Sequence, residues 1–214
     1  AFLNSSFQTG LKGNIDETVI NRAIKTDLKD IIKDYSKVDE IPFDFSRRRL
    51  SVIVKDKNNK KQLITKGAVE EILNICTMVD YKGEISTLTR DIKQNIINMT
   101  KSLNKDGLRV IAICQKNDIE NIENFGVKDE KNMLLLGFIG FLDPPKKSAK
   151  ESILRMNEHG IRVMVLTGDN LEVTKAVCEK VGINSKHIIL GSKLDKLSDF
   201  GVLRLLKNNN IFAK

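Results

Sequence analysis

From residue 146 onward the sequence alternates helix and strand. Apolar periodicity predicts a helix over 147–158 ending at Gly160, a strand over Ile161–Leu166, a helix over 171–181 ending at Gly182, a strand over His187–Leu190 and a last helix over 196–208. A strand that returns parallel to its neighbour needs a crossover, usually helical, so this stretch is expected to build a parallel, doubly wound sheet. Ile211-Phe212 follows as an apolar scrap with nothing in view to complete it.

The residues before Asp143-Pro144-Pro145 obey a different grammar. Ile20, Ile24, Leu28, Ile31 and Tyr35 recur every three or four positions, which predicts an amphipathic helix over 17–36 capped by Asp16. Leu50–Val54 and Gln62–Thr65 are β-prone runs joined by the charged stretch 55–61, a hairpin signature. Lys66-Gly67-Ala68 is expected to break the strand and open a helix through Ile75. Ile92, Ile96, Met99 and Leu103 mark another helix, ending near Gly107, before a buried strand over Leu108–Cys114. Residues 115–132 read as a polar loop and Met133–Leu142 as a strand. The expected class is therefore α/β: a mixed first domain with a mainly antiparallel sheet and flanking helices over 1–138, then an α/β domain over 139–214, with the composition shift falling between residues 130 and 145.

Composition narrows the function. At 214 residues, with 41% hydrophobic and 30% charged residues, the chain can bury a core without cross-links. Its longest apolar runs fall well short of the ~18–20 residues that cross a bilayer, so no direct membrane insertion is expected. The opening AFLNSSFQTG has neither the basic nor the apolar region of a secretory signal and reads like a segment cut from a longer chain. Cys76, Cys114 and Cys178 are odd in number and lie in apolar segments, which indicates reduced core residues rather than disulfides or a thiolate metal site. A net charge of +8 invites an anionic partner. With aromatics at 5%, no Trp and basic residues interspersed with acids, nucleic acid is not the expected one.

A phosphate-bearing ligand suits the loops better. Val163–Leu166 runs into Thr167-Gly168-Asp169-Asn170 just before a helix, the position where open α/β sheets present strand carboxyl ends and free helix N–H groups to phosphate. The plain alternative is a tight turn with Asp169 or Asn170 as N-cap. Upstream, Phe43-Asp44-Phe45-Ser46-Arg47-Arg48-Arg49 sets an aromatic ring beside three guanidiniums, so that a base can stack while arginine meets a polyphosphate. Alternatively both phenylalanines are core and the arginines a solvated run. Lys66 sits beside Gly67, which lets a ligand approach the backbone. Arg109 is a charge in an otherwise apolar strand, and so needs either a wet face or an anion.

Taken in order, Gly13-Asn14-Ile15-Asp16-Glu17, FSRRRLSVIV, Lys66-Gly67-Ala68, Leu108-Arg109-Val110, Asp143-Pro144-Pro145 and Thr167-Gly168-Asp169-Asn170 resemble the cytoplasmic part of a P-type cation-transporting ATPase over nearly the whole chain. NSSFQTGLKGNID and DEIPFDFSRRRLSV look most like the magnesium-importing branch, with another cation such as Ca2+, or a non-enzymatic basic binding module, as the alternative.

The resemblance implies a nucleotide-binding domain followed by part of a haloacid-dehalogenase-like, Rossmann-type phosphorylation domain, with ATP or ADP as ligand and Mg2+ carried as Mg-ATP. Phe45 matches the phenylalanine that holds adenine, and Glu17 the acid at the adenine edge, with Asp16 as its rival. Lys66 and Gly67 match the pocket lysine and its glycine, and Arg47 and Arg109 the arginines on the phosphates. Arg48 or Arg49 matches a further basic residue. Asp143 matches the DPP hinge aspartate, and Thr167 and Asp169 the phosphoryl-site loop. The family's DKTGT segment, whose aspartate is phosphorylated, and its GDGxND segment are absent from this sequence. The resemblance accordingly implies a chain that binds nucleotide but does not turn it over alone. Its partners would be the actuator and transmembrane domains of the same pump, at the cytoplasmic face of the cell membrane.

Overall fold

The computed structural model describes residues 1–10, 12–117, 119, 124–142 and 144–214. The chain separates into two compact units, residues 1–98 with 110–140, and residues 99–109 with 141–214.

The first unit is organised on a hairpin. Strands β2 (Arg49–Asp56) and β3 (Lys61–Ala68) pair antiparallel from Lys55↔Lys61 to Arg49↔Gly67, across the charged turn expected from sequence. β1 (Tyr35–Asp44) adds antiparallel to β2, and β6 (Leu108–Lys116) antiparallel to β3. With β4 (Cys76–Tyr81), β5 (Glu84–Thr87) and β7 (Met133–Leu142) they form a seven-stranded sheet in the order β1-β2-β3-β6-β7-β4-β5, in which β4 and β7 pair parallel. The mixed sheet with flanking helices is the class expected from the sequence.

Side chains alternate across β2 and β3, so each strand feeds two cores. One face packs Ile53, Leu63, Ala112, Cys114, Met133 and Leu135 against α3 (Val69–Ile75) and Ile92, Ile96 and Ile97 of α4 (Arg90–Lys105). The opposite face packs Leu50, Val52, Val54, Ile64 and Ile113 against Ala1, Leu3 and Phe7, the last two on α1 (Phe2–Phe7). Asn4 on α1 donates from Nδ2 to the Ile64 carbonyl at 2.7 Å, fixing α1 to the strands.

The helix expected over 17–36 is shorter. α2 runs Asn14–Ile24 with Gly13 as its N-cap, so Asp16 stands in the first turn rather than at the cap. Thr26 is extended, a 3-10 segment covers Asp27–Asp34, and Tyr35 already belongs to β1. The apolar period misled because it runs across three elements. Thr26 bonds its hydroxyl back to the Ala23 carbonyl at 3.0 Å, competing with helix continuation. Lys66-Gly67-Ala68 stays in β3 instead of breaking it, and β1, β4 and β5 were not expected at all.

In the second unit, β8 (Val165–Leu166), β10 (Ile211–Ala213) and β9 (Ile188–Leu190) form a parallel sheet in that order. Parallel pairing agrees with the alternation, but Ile211-Phe212, expected to be a loose end, is the central strand. The helices are α5 (Ala149–Glu158), α6 (Leu171–Lys180), α7 (Gly191–Leu194) and α8 (Asp199–Asn208), so the helix expected over 196–208 begins at Asp199, and the short α7 before it was not expected. Of the strand expected over Ile161–Leu166, residues 161–164 are not strand: Gly160 is left-handed at φ +73°, and Ile161 N–H returns to the Met156 carbonyl at 2.8 Å, using the start of that segment to close α5. Gly182 closes α6 in the same way. Ile211, Cys178, Val181 and Ile183 form the core, with Ala149, Ile153, Val163, Val165 and Ile188 packed around it. All three cysteines are buried and free. Among the described residues no helix is long and apolar enough to cross a membrane.

Candidate functional site

The turn joining β1 to β2 carries the exposed aromatics. Phe45 is 84% exposed and Phe43 51%, so neither is a core residue. Their rings meet edge to face with centroids 5.2 Å apart. An apolar ring this exposed normally sits on a loose segment, yet this turn is heavily braced. The Asp44 carboxylate accepts from the backbone N–H of Ser46 at 2.6 Å and of Arg47 at 3.1 Å, and from the Ser46 hydroxyl. Those bonds, the Ser46 hydroxyl first, hold its carboxyl below the usual range. Arg48 adopts a left-handed conformation at φ 47°, and its carbonyl accepts from Ala68 N–H at 3.0 Å. A Cβ on Gly67 would stand 2.6 Å from that carbonyl oxygen. Gly67 is thus a glycine because β2 crosses close over it.

The three arginines are not a solvated run. Arg47 Nη1 lies 2.9 and 2.8 Å from the two oxygens of Glu130, whose side chain is fully buried, and Nη2 donates to the Pro42 carbonyl at 2.7 Å. Arg49 Nε donates to Glu130 at 2.7 Å, and Arg48 pairs with Glu71 at 2.6 Å. Sequence reasoning missed Glu130 inside its polar loop. Three successive arginines in a half-buried hairpin needed buried anions, and that was the available signal.

Lys66 stands opposite Leu50 in the β2–β3 register, on the α1 face of the sheet, whereas Arg49, Ser51 and Glu130 occupy the other face. Its ammonium pairs with Asp16 and donates to the Ser5 hydroxyl at 3.0 Å, and Gln8 donates to Asp16 at 2.7 Å. Burial pushes the Asp16 carboxyl up, but hydrogen bonds from Lys66, Ser5 and Gln8 together hold it below its usual value. Burial also pushes the Lys66 ammonium below its usual value against the pull of Asp16. Of the two rival acids, Asp16 is therefore occupied by Lys66, while Glu17 is exposed in the first turn of α2. The sequence-derived set does not converge as one cluster: Lys66 belongs with α1 and α2, and Arg47 with Glu130.

Within the second unit, Arg109 pairs with the Asp169 carboxylate. Thr167 Oγ1 accepts from Asp169 N–H at 3.1 Å, and Asn170 caps α6 by accepting from Val173 N–H at 3.0 Å. The cap is thus Asn170, leaving Asp169 free for the ion pair. Asp143 lies outside the described residues. Surface depressions of about 360 and 300 Å3 open elsewhere, the first lined by Gln115, Lys116, Asn117, Asn132 and Leu134 and the second including Phe2, Leu28, Ile31 and Leu136, and neither contains a candidate residue.

The first unit thus carries a braced aromatic turn and a buried Lys66–Asp16 pair, and the second a strand–loop–helix segment capped by Asn170. The family model for the P-type ATPase cytoplasmic domain N matches residues 3–148. The chain is 39% identical over its full length to the magnesium-transporting ATPase, P-type 1, of Salmonella typhimurium, and 38% to that of Escherichia coli. It is 28% identical to the calcium-transporting ATPase 1 of Bacillus cereus. This chain belongs to the P-type ATPase family, and these magnesium-transporting relatives are more similar to it than the calcium-transporting one. It spans about a quarter, 24%, of the length of those magnesium-transporting relatives.

Proposed function

We propose that this chain binds ATP or ADP for an ion pump, presenting the γ-phosphate to an aspartate that lies outside it. The carrying observation is Phe45, an 84% exposed ring on a turn fastened by Asp44, Arg47, Arg48 and Gly67. A protein that braces an exposed ring holds ready a stacking platform, and every nucleobase has a face for it. Lys66, beside the turn on β3, supplies the cation, and arriving phosphates compete with Asp16 for its ammonium. Glu17 is the exposed acid available to the adenine edge. Residues 1–138 are read as the nucleotide-binding domain, and 139–214 as part of the phosphorylation domain, with Thr167 and Asp169 facing the transferred phosphoryl group. Arg109, now on Asp169, is the further phosphate contact, and Asp143 belongs to the hinge. Mg2+ arrives on the nucleotide as Mg-ATP.

The identity to magnesium-transporting relatives supports Mg2+ as the ion moved by the whole pump, at the cytoplasmic face of a membrane, with that pump's other domains as partners. An NMR titration with Mg-ATP tests the binding claim. Amide shifts centred on Phe45, Glu17 and Lys66 that saturate with nucleotide are expected, whereas shifts confined to scattered surface lysines would contradict it.

A further inference from the structure

Arg47, matched above to a phosphate contact, has its guanidinium already in use. Nη1 reaches both oxygens of the Glu130 carboxylate and Nη2 the carbonyl of Pro42. The same carboxylate accepts from Arg49 Nε and, at 2.6 Å, from the Ser51 hydroxyl. A hydroxyl has one proton, so the 2.7 Å contact between Ser51 and Thr65 must be donated by Thr65. One buried anion thereby gathers bonds from the base of the turn, from β2 and, through Ser51, from β3. Pro42 and Arg47 bracket Phe43–Ser46, so the bond from Nη2 to the Pro42 carbonyl closes the base of the loop that displays the ring.

We propose that Glu130 is a positioning residue for nucleotide: it locks Arg47 across the base of the β1–β2 turn, so that the Phe45 ring is held for stacking, and Arg47 acts through that ring rather than on the phosphates. The inference rests on the nucleotide reading above and deepens it. An exposed ring on a slack turn would sample several orientations, and ordering it on binding would cost affinity that a preformed turn saves. Asp44 braces the backbone of residues 46 and 47 locally and Arg48 pairs with Glu71, whereas the Glu130 clip ties Arg47, at the base of the loop that carries the ring, to a residue 83 positions away.

A double-mutant cycle on the whole 214-residue chain tests this. Glu130→Gln keeps the size of the side chain and its acceptor oxygen but removes the charge. It is expected to weaken ATP binding about five- to tenfold in the wild-type background and less than about twofold when Phe45 is already Ala, because the clip works through the ring. An equal loss in both backgrounds, or none in the wild type, overturns the proposal. If circular dichroism shows that Glu130→Gln does not fold, Arg47→Lys takes its place, since lysine keeps the charge but cannot span Glu130 and Pro42 together. It is expected to weaken ATP and spare inorganic tripolyphosphate, which has no base to stack. A matching loss for tripolyphosphate would make Arg47 a phosphate ligand and overturn the positioning role. Should the wild type fail to bind ATP, the nucleotide reading falls. The clip is then judged by the nuclear Overhauser contact between the Phe43 and Phe45 rings, expected to weaken in the variant and overturning the clip if it persists unchanged.

Discussion

The two units of this chain hold themselves together by different means. The first buries apolar side chains on both faces of a seven-stranded sheet, and Val52, Ile53, Val54, Leu63, Ile72, Ala112, Cys114 and Met133 are all fully excluded from solvent. The second builds a three-stranded sheet from strands of 2 or 3 residues around one small cluster. Apolar burial contributes about 25 cal/mol per Å2 removed from water, so stability should concentrate in the first unit. The exposed Phe45 ring and the two buried charge clusters, around Glu130 and around Asp16, all lie in the well-packed unit, whose sheet can hold them in fixed geometry.

The comparison breaks most visibly if the first unit loses its central anion. Glu130→Ala leaves Arg47 and Arg49 facing a void and is expected to cost about 3 to 5 kcal/mol in urea unfolding followed on first-unit signals. A loss below about 1 kcal/mol would mean that the arginines rehydrate freely and that the cluster is not structural. Hydrogen exchange gives the next effect. Amides of β2, β3 and β6 should exchange about a hundredfold or more slowly than those of β8, β9 and β10. Comparable protection would erase the distinction between the units. Gly67→Ala sharpens it locally: a Cβ placed 2.6 Å from the Arg48 oxygen and from Arg49 Cβ must push β2 away, for an expected loss of about 1 to 3 kcal/mol. An unchanged midpoint would show that the hairpin yields there.

The smallest effect concerns acid. Asp16 is held below its ordinary value of 3.8, so in the folded state it releases its proton more readily than in the unfolded state. Its stabilising contribution is therefore complete above that ordinary value and fades as pH falls through the lower folded value. Below about pH 4 the wild type should lose stability more steeply than Asp16→Asn, which has no proton to gain. Parallel acid limbs would show that the pair with Lys66 contributes nothing.

How much of this was legible in the sequence divides along the same line. In the second unit, Gly160 and Gly182 marked the helix ends, because a left-handed residue with a returning N–H is a local device that leaves a local signature. What escaped there was Ile211–Ala213, a strand made by partners far away in the chain. In the first unit, the β2–β3 hairpin and the strand Met133–Leu142 were legible from apolar runs and the turn between them. The edge strands β1 and β5 were not, since β1 alternates polar residues with few buried ones and every residue of β5 is exposed.

The site was legible as residue types rather than as a constellation. Phe45 stood out because a ring beside three arginines needs explaining, and the structure exposes it. Glu130, the anion answering Arg47 and Arg49, lies 83 and 81 residues away from them in sequence, and no local pattern ties it to them. Lys66 was recognised by its motif, but its engagement with Asp16 depends on how α2 docks. Only the fold shows that Lys66 and Arg47 serve opposite faces of one sheet.

The nucleotide reading proposed above stands or falls on whether adenine stacks on Phe45. Calorimetric titration of ATP into the wild type and Phe45→Ala tests it most directly. An affinity loss of about 1 to 3 kcal/mol, with inorganic tripolyphosphate unaffected, is the predicted result. Equal ATP affinity in both proteins would contradict it.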